Sequence, residues 1–333
     1  MNVALPGLVA VVVLAGTPLA AEEQWVTYEG GEGPGRGRHV VLVSGDEEYR
    51  SEEALPMLGR ILAVRHGFQC TVLFAVNPET GEIDPGNRSN IPGLHLLAGA
   101  DMLVIATRFR ELPDEQMKFI VDFVNSGKPI LGLRTATHAF SYDQNKDSHY
   151  VRFDWRSKDW PGGFGKQVLG ETWVAHHGAH GKESTHGVVN RELADHPILK
   201  GVEEIWGPTD VYTVGRLPDD AKVLVHGQVL AGMKPSDPPN DSKPLMPLVW
   251  TRTFTGEKGQ PARVIATTMG ASVDLENEGL RRLLVNAVYW GLGMEDRIPA
   301  RADVACVGEY QPTDFGFGTF QKGVKPSDHR IVR

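Results

Sequence analysis

The chain has 333 residues, 41% of them hydrophobic and 23% charged, with 38 Gly, 22 Pro and two Cys. That composition excludes collagen-like, low-complexity and wholly disordered classes, and a net charge of −8 argues against a nucleic-acid or anionic-membrane surface. Cys70 and Cys306 lie on distant segments outside any CxxC, which excludes a disulfide scaffold and a cysteine zinc site; both are expected as free thiols.

Residues 1–21 read as a signal peptide. The run 5–19 (LPGLVAVVVLAGTPL) is apolar, uncharged and short for a bilayer span, and it ends in small residues at Ala20 and Ala21 before an acidic stretch. No Lys or Arg precedes it, so only the terminal amine supplies the positive end. A secreted or periplasmic protein with no membrane span after leader cleavage is expected.

Residues 22–38 are Gly-rich and read as a linker into an α/β domain over 39–294. Residues 39–44 (HVVLVS), 69–76, 101–107 and 128–133 are continuous apolar runs of strand length, and 52–66 and 113–126 carry helical spacing. Such alternation predicts a mostly parallel sheet covered on both faces, a three-layer sandwich of flavodoxin-like or amidotransferase-like type. Residues 142–166 form a long insertion. Short β-like runs follow at 168–175, 187–190, 211–214, 222–226, 248–254 and 263–268, broken by the Pro-rich loop 233–247. An amphipathic helix over 277–290 closes the domain, and a C-terminal extension, 295–333, is expected to wrap the surface.

Ligands bind open parallel sheets at the strands' carboxyl ends. Three segments meet there: 45–51 (GDEEYRS), 107–110 (TRFR) and 132–138 (GLRTATH). Asp46 or His138 is the expected general acid/base, with Arg134 holding an anionic or carbonyl oxygen. Tyr49, Arg50, Arg108 and Thr137, with Asp210 and Tyr212 from the second half, are expected to bind substrate. The alternative for each is mutual ion pairing or helix capping.

Residues 129–134 (PILGLR) have the shape of a strand-to-turn nucleophile elbow, with Arg134 where a cysteine would stand. A guanidinium stays protonated and cannot be a nucleophile, so thiol-dependent amide hydrolysis is excluded. With this elbow go the first-strand loop ending in Tyr49-Arg50, residues 196–201 (HPILKG), 210–212 (DVY), 247–250 (PLVW) and 263–270, and the closing helix ending at Trp290. In order and spacing these segments resemble the ThuA-like (trehalose-utilisation type) family, a branch of the glutamine-amidotransferase-like superfamily without the catalytic cysteine. The chain departs from that pattern at Ala271, where a His is frequent, and at Val211, where an Asp-Glu pair often precedes the Tyr. The resemblance implies the fold and a link to sugar catabolism.

Seven of the twelve histidines fall between His138 and His196, most densely in 175–181 (AHHGAHG). Neutral imidazoles suit a divalent metal, with His177, His180 and Asp210 as ligands; the alternative is a hydrogen-bonded polar loop lining a pocket. Trp155, Trp160, Phe164, Trp173 and Tyr212 cluster in or near the insertion, where they either stack on a sugar ring or plug the core. Two functions stay open: an exported enzyme acting on a small carbohydrate or keto-sugar derivative, or a non-catalytic carbohydrate-binding or partner-docking protein on the same fold.

Overall fold

The computed structural model describes Met1 and residues 24–331, so the leader expected over 1–21 lies, after Met1, outside the described residues. The continuous apolar runs make the centre of the sheet. Strands β2 (His39–Gly45), β3 (Gln69–Leu73), β4 (Met102–Thr107) and β5 (Ile130–Leu133) are almost wholly buried. They pair in parallel in the order β3-β2-β4-β5. Helices α1 (Ser51–His66) and α2 (Asp114–Val124) make two of the crossovers that parallel pairing requires. α1 stops at Gly67, whose φ of 80° suits glycine and whose N–H reaches Ala63 O at 3.1 Å.

The sheet as a whole is mixed rather than mostly parallel. β10 (Pro261–Thr267) lies parallel to β5. Beyond it β9 (Met246–Thr255), β8 (Lys222–Val229), β6 (Thr185–Val189) and β7 (Ile205–Gly207) are all antiparallel. With β1 at Trp25–Tyr28, the order across ten strands is β1-β3-β2-β4-β5-β10-β9-β8-β6-β7. Without helical crossovers, the second-half chain turns back on itself and its strands alternate in direction.

The segment read as a linker carries the other edge. β1 (Trp25–Tyr28) pairs antiparallel with β3, and Tyr28 is buried with its hydroxyl donating to His329 O at 2.9 Å. Two expected β-like runs stay out of the sheet. Gly165–Leu169 is a π-helical turn sealed by Trp250, whose Nε1 donates to Leu169 O at 2.7 Å, and Tyr212 makes only an isolated bridge to His176.

Two cores flank the sheet. On one face α1 and α3 (Glu278–Gly291) contribute Leu58, Leu62, Leu284 and Val288. On the other, α2 contributes Ile120 and Phe123, the segment after the β5 turn Phe140, and the insertion Phe164. Asn277 caps α3 by accepting from Leu280 N–H at 2.8 Å. The extension after residue 294 runs back over α1 and β1, held by Ile83 N–H to Val324 O at 2.8 Å and by Arg60 to His329 O at 3.0 Å. Cys70 is buried, Cys306 is partly buried, and both are free. Among the described residues no helix is long and apolar enough to cross a membrane.

Glu52, in the first turn of α1, is buried with neither carboxyl oxygen hydrogen-bonded. Burial pushes its pKa up to about 8, against the opposing pull of Arg50. In the unfolded chain this proton leaves near pH ~4.3, so between that value and 8 the native state holds more protons. The contribution of neutral Glu52 is therefore complete at acid pH and falls as pH rises through the window. Glu52→Gln should melt above wild type at pH 8 and converge with it at pH 4.5. Thermal denaturation at both values checks this, and a lower melting point at pH 8 would count against it.

Candidate functional site

The carboxyl ends of β2, β4 and β5 meet as the sequence suggests, but several side chains there have other duties. Asp46 accepts from Glu48 N–H at 2.8 Å and Tyr49 N–H at 3.1 Å, and from the Thr135 hydroxyl at 2.6 Å. This Asx-type turn staples the β2 loop to the β5 turn. With three bonds accepted from the protein and 1% of the residue exposed, Asp46 fixes this turn, and these contacts serve position rather than the acid/base role expected of it.

Arg134 needs the largest correction. It was expected to face a ligand, yet it is 1% exposed. Nη1 donates to Asp210 O at 2.8 Å and Thr268 O at 2.6 Å, and Nη2 to Asp210 Oδ1 at 3.2 Å. The guanidinium carbon lies 4.1 Å from the Tyr49 ring centroid and 4.3 Å from that of Tyr212. A cation so enclosed holds protein, not substrate. Tyr49 and Tyr212 are correspondingly buried, and burial pushes the Tyr49 hydroxyl up to about 12.

Arg50, expected to bind substrate, is likewise committed within the protein. It sits at φ 57° ahead of α1, and its buried guanidinium donates to Gly316 O, Thr319 Oγ1 and Glu47 O. Arg108, by contrast, stays at the crevice, pairing with Glu47 and, at 3.4 Å, with Glu48. Thr137 is buried beside His138, its hydroxyl 3.1 Å from the ring Nδ1. His138 lies in the floor among Phe109, Trp173 and Tyr212, at centroid distances of 4.9, 5.8 and 6.0 Å. Burial first, then the charges of Arg108 and Arg134, hold it well below the usual imidazole pKa, so it is neutral.

The second half supplies the polar centre. The Asp210 carboxylate is buried between two histidines. Oδ2 accepts from His176 Nδ1 at 2.7 Å and Oδ1 from His180 Nδ1 at 3.0 Å. Burial alone would raise the Asp210 pKa, but the bonds from His176 and His180 and the charge of Arg134 hold it well below the usual carboxylate range. An acceptor-only carboxylate fixes Nδ1–H as the donor on each ring, which leaves Nε2 of a neutral imidazole with its lone pair. His180 Nε2 lies 3.5 Å from Glu48 Oε1. Burial raises the pKa of Glu48, against the pull of Arg108.

His177 is not part of this centre. The backbone is extended where His176 bridges Tyr212, so the next side chain points the other way. His177 Nε2 bonds Pro244 O at 2.8 Å. The metal-capable set is His176, His180 and Asp210, whose ligand atoms lie within 4.8 Å of one another. Two imidazoles and a carboxylate are a donor set that would suit zinc or a similar divalent ion.

Sequence reasoning missed four site residues. Glu48 and Phe109 lie in the very loops singled out, while Phe315 and Phe317 lie in the extension and carried no local signal. Of the noted aromatics, Trp155 and Trp173 join the crevice at a mutual 6.1 Å, while Phe164 is buried against Phe140 and Trp160 meets Phe153 edge to face.

Arg134→Met should destabilise the fold by about 3–5 kcal/mol, because it strands a buried carboxylate. Lys should not restore the loss, since it lacks the planar fork that reaches three acceptors. Urea denaturation measures both; a variant of wild-type stability would mean that Asp210 needs no buried counter-charge.

The family described as ThuA, trehalose utilisation, matches residues 40–291. A ThuA-like protein from Parabacteroides merdae is 16% identical over 89% of this chain and 99% of its own, with a TM-score of 0.49. A ThuA-like protein from Bacteroides uniformis is 15% identical over 79% and 94%, with a TM-score of 0.46. No curated protein matches. The family match spans most of the chain and takes in both the strand-end loops and the histidine centre, and on that ground the chain belongs to the ThuA family.

Proposed function

We propose that the crevice binds a small carbohydrate or keto-sugar derivative and that His176 and His180 move protons on it. The supporting observation is one buried carboxylate, Asp210, orienting two part-exposed histidines beside aromatic rings. Trp173 lies 5.8 Å from His176, and Phe109 lies 5.5 Å from Trp155. Apolar sugar faces stack on such rings while carboxylates and imidazoles take the hydroxyls. The family's link to trehalose utilisation supports the same substrate class.

Chemically, the Nε2 lone pair of one histidine takes the proton from carbon beside a sugar carbonyl, and the second, entering as an imidazolium with N–H at both nitrogens, gives its Nε2 proton to the carbonyl oxygen as the enol forms, so the two rings exchange protonation states. Neutral His138 donates or accepts a hydrogen bond below them without adding charge. No thiol enters, since Arg134 holds the elbow position and Cys70 is buried in β3. The apolar leader in the sequence supports action outside the cytoplasm, secreted or periplasmic. A second reading, favoured by the three clustered ligand atoms, is that His176, His180 and Asp210 would hold a divalent cation, which would supply Lewis-acid chemistry toward a sugar oxygen.

A panel of glucosides, trehalose and their keto derivatives tests the proposal by calorimetry and product analysis. His180→Ala and His176→Ala should each lower turnover by about a hundredfold or more. Affinity should change far less. Metal content and chelator treatment separate the two readings: acid–base chemistry alone survives chelation, whereas the cation reading predicts about one bound ion, lost in both variants. Unchanged turnover in both variants would remove the histidines from the chemistry.

A further inference from the structure

The extension beyond the family-matched span reaches the mouth of the crevice. Phe315 packs 5.7 Å from the Tyr49 ring and 5.1 Å from His180, against the histidine centre itself. Two residues on, Phe317 is 60% exposed and lies 5.0 Å from the Arg108 guanidinium carbon, which also faces Phe109 at 4.5 Å. Gly316 and Gly318, at φ 147° and 68°, bracket Phe317 in conformations that residues with side chains seldom adopt.

This stretch is pinned from several sides. Gly316 N–H donates to Glu48 O at 2.8 Å, linking the strap to the loop that carries Glu48. Buried Arg50 grips Gly316 O and Thr319 from below, and it does so from a strained left-handed backbone. Thr313 is bound by Glu53 through N–H and hydroxyl at 2.8 and 2.7 Å, and its carbonyl accepts from Ser272 at 3.1 Å. An anchored backbone therefore holds one phenyl ring against the histidines and presents a second, largely bare, beside the Glu48–Arg108 pair.

We propose that residues 313–319 form the specificity-determining wall of the crevice, Phe315 covering His180 and Phe317 stacking on an apolar face of the bound sugar. This rests on the carbohydrate reading above, and it places part of substrate selection outside residues 40–291.

Two measurements on the full-length chain separate the two ideas. Glucose and trehalose are titrated into wild type, Phe317→Ala and Phe317→Trp, and modification of His180 by diethylpyrocarbonate is followed by peptide mass spectrometry in wild type and Phe315→Ala. Phe317→Ala should weaken the better-bound sugar by about fivefold at unchanged melting temperature, with Trp restoring it. Phe315→Ala should speed His180 modification several-fold. Equal sugar affinity in Phe317→Ala and wild type would overturn the stacking role. Unchanged His180 reactivity in Phe315→Ala would overturn the wall. If neither sugar binds wild type while Phe315→Ala still uncovers His180, the carbohydrate reading and the stacking role fall together and the wall stands.

Discussion

The buried Arg134–Asp210 pair is the constraint on which the site depends. Withdrawing a guanidinium and a carboxylate from water costs several kcal/mol per ion, offset only if nearly every donor and acceptor finds a partner. Here Arg134 reaches Asp210 twice and Thr268 once, between two tyrosine rings, with only Nε left unpartnered. Asp210 has lone pairs remaining, and these go to His176 and His180. The ion pair that joins the β5 turn to residue 210 therefore also sets the tautomer and direction of both imidazoles. Arg134 adopts φ 41° to do so, and the other non-glycine residues of positive φ among those described, Arg50 and Phe109, also follow strand ends. Backbone strain gathered at one end of a sheet is where function is usually found.

Division of labour between the halves follows from sheet topology. The parallel half ends its strands on one edge and supplies the floor: Glu48, Arg108 and His138. Strands β6 to β9 are added antiparallel beyond β10; the segment leading into β6 supplies His176 and His180, and the one between β7 and β8 supplies Asp210 and Tyr212. Asp46 bonding Thr135 ties two loops of the parallel half together, and Arg134 bonding Asp210 closes the seam between the halves.

Legibility in the sequence tracked how local the physics was. Residues 39–44, 101–107 and 128–133 announced themselves because strands buried on both faces need unbroken apolar runs. Residues 25–28 did not, since four residues in a Gly-rich stretch make a strand only once β3 offers an edge. The parallel character was over-extended because nothing in short runs such as 205–207 states direction. The same limit governed the site. That Arg134 and Asp210 belonged to one site was readable, but the burial of Arg134 was not, because its partner lies 76 residues away. His176 and His177 are indistinguishable until the local extended backbone sends them to opposite sides.

The charge inventory of the crevice bears on what it accepts. Arg108 is neutralised by Glu47 and Glu48, Arg110 by Glu47, and Arg134 by Asp210, while Arg50 is committed to backbone and Thr319. Among the described residues, none of these four arginines waits at the crevice for a phosphate or carboxylate; an anion would have to displace a carboxylate already in place. A neutral ligand meets no such competition. Its hydroxyls can donate to the Nε2 atoms of the part-exposed imidazoles and hydrogen-bond the Glu48–Arg108 pair while its apolar faces lie on rings. An uncharged sugar has that combination of hydroxyl rim and C–H face, whereas a sugar phosphate would carry charge into a site whose cations are already spent.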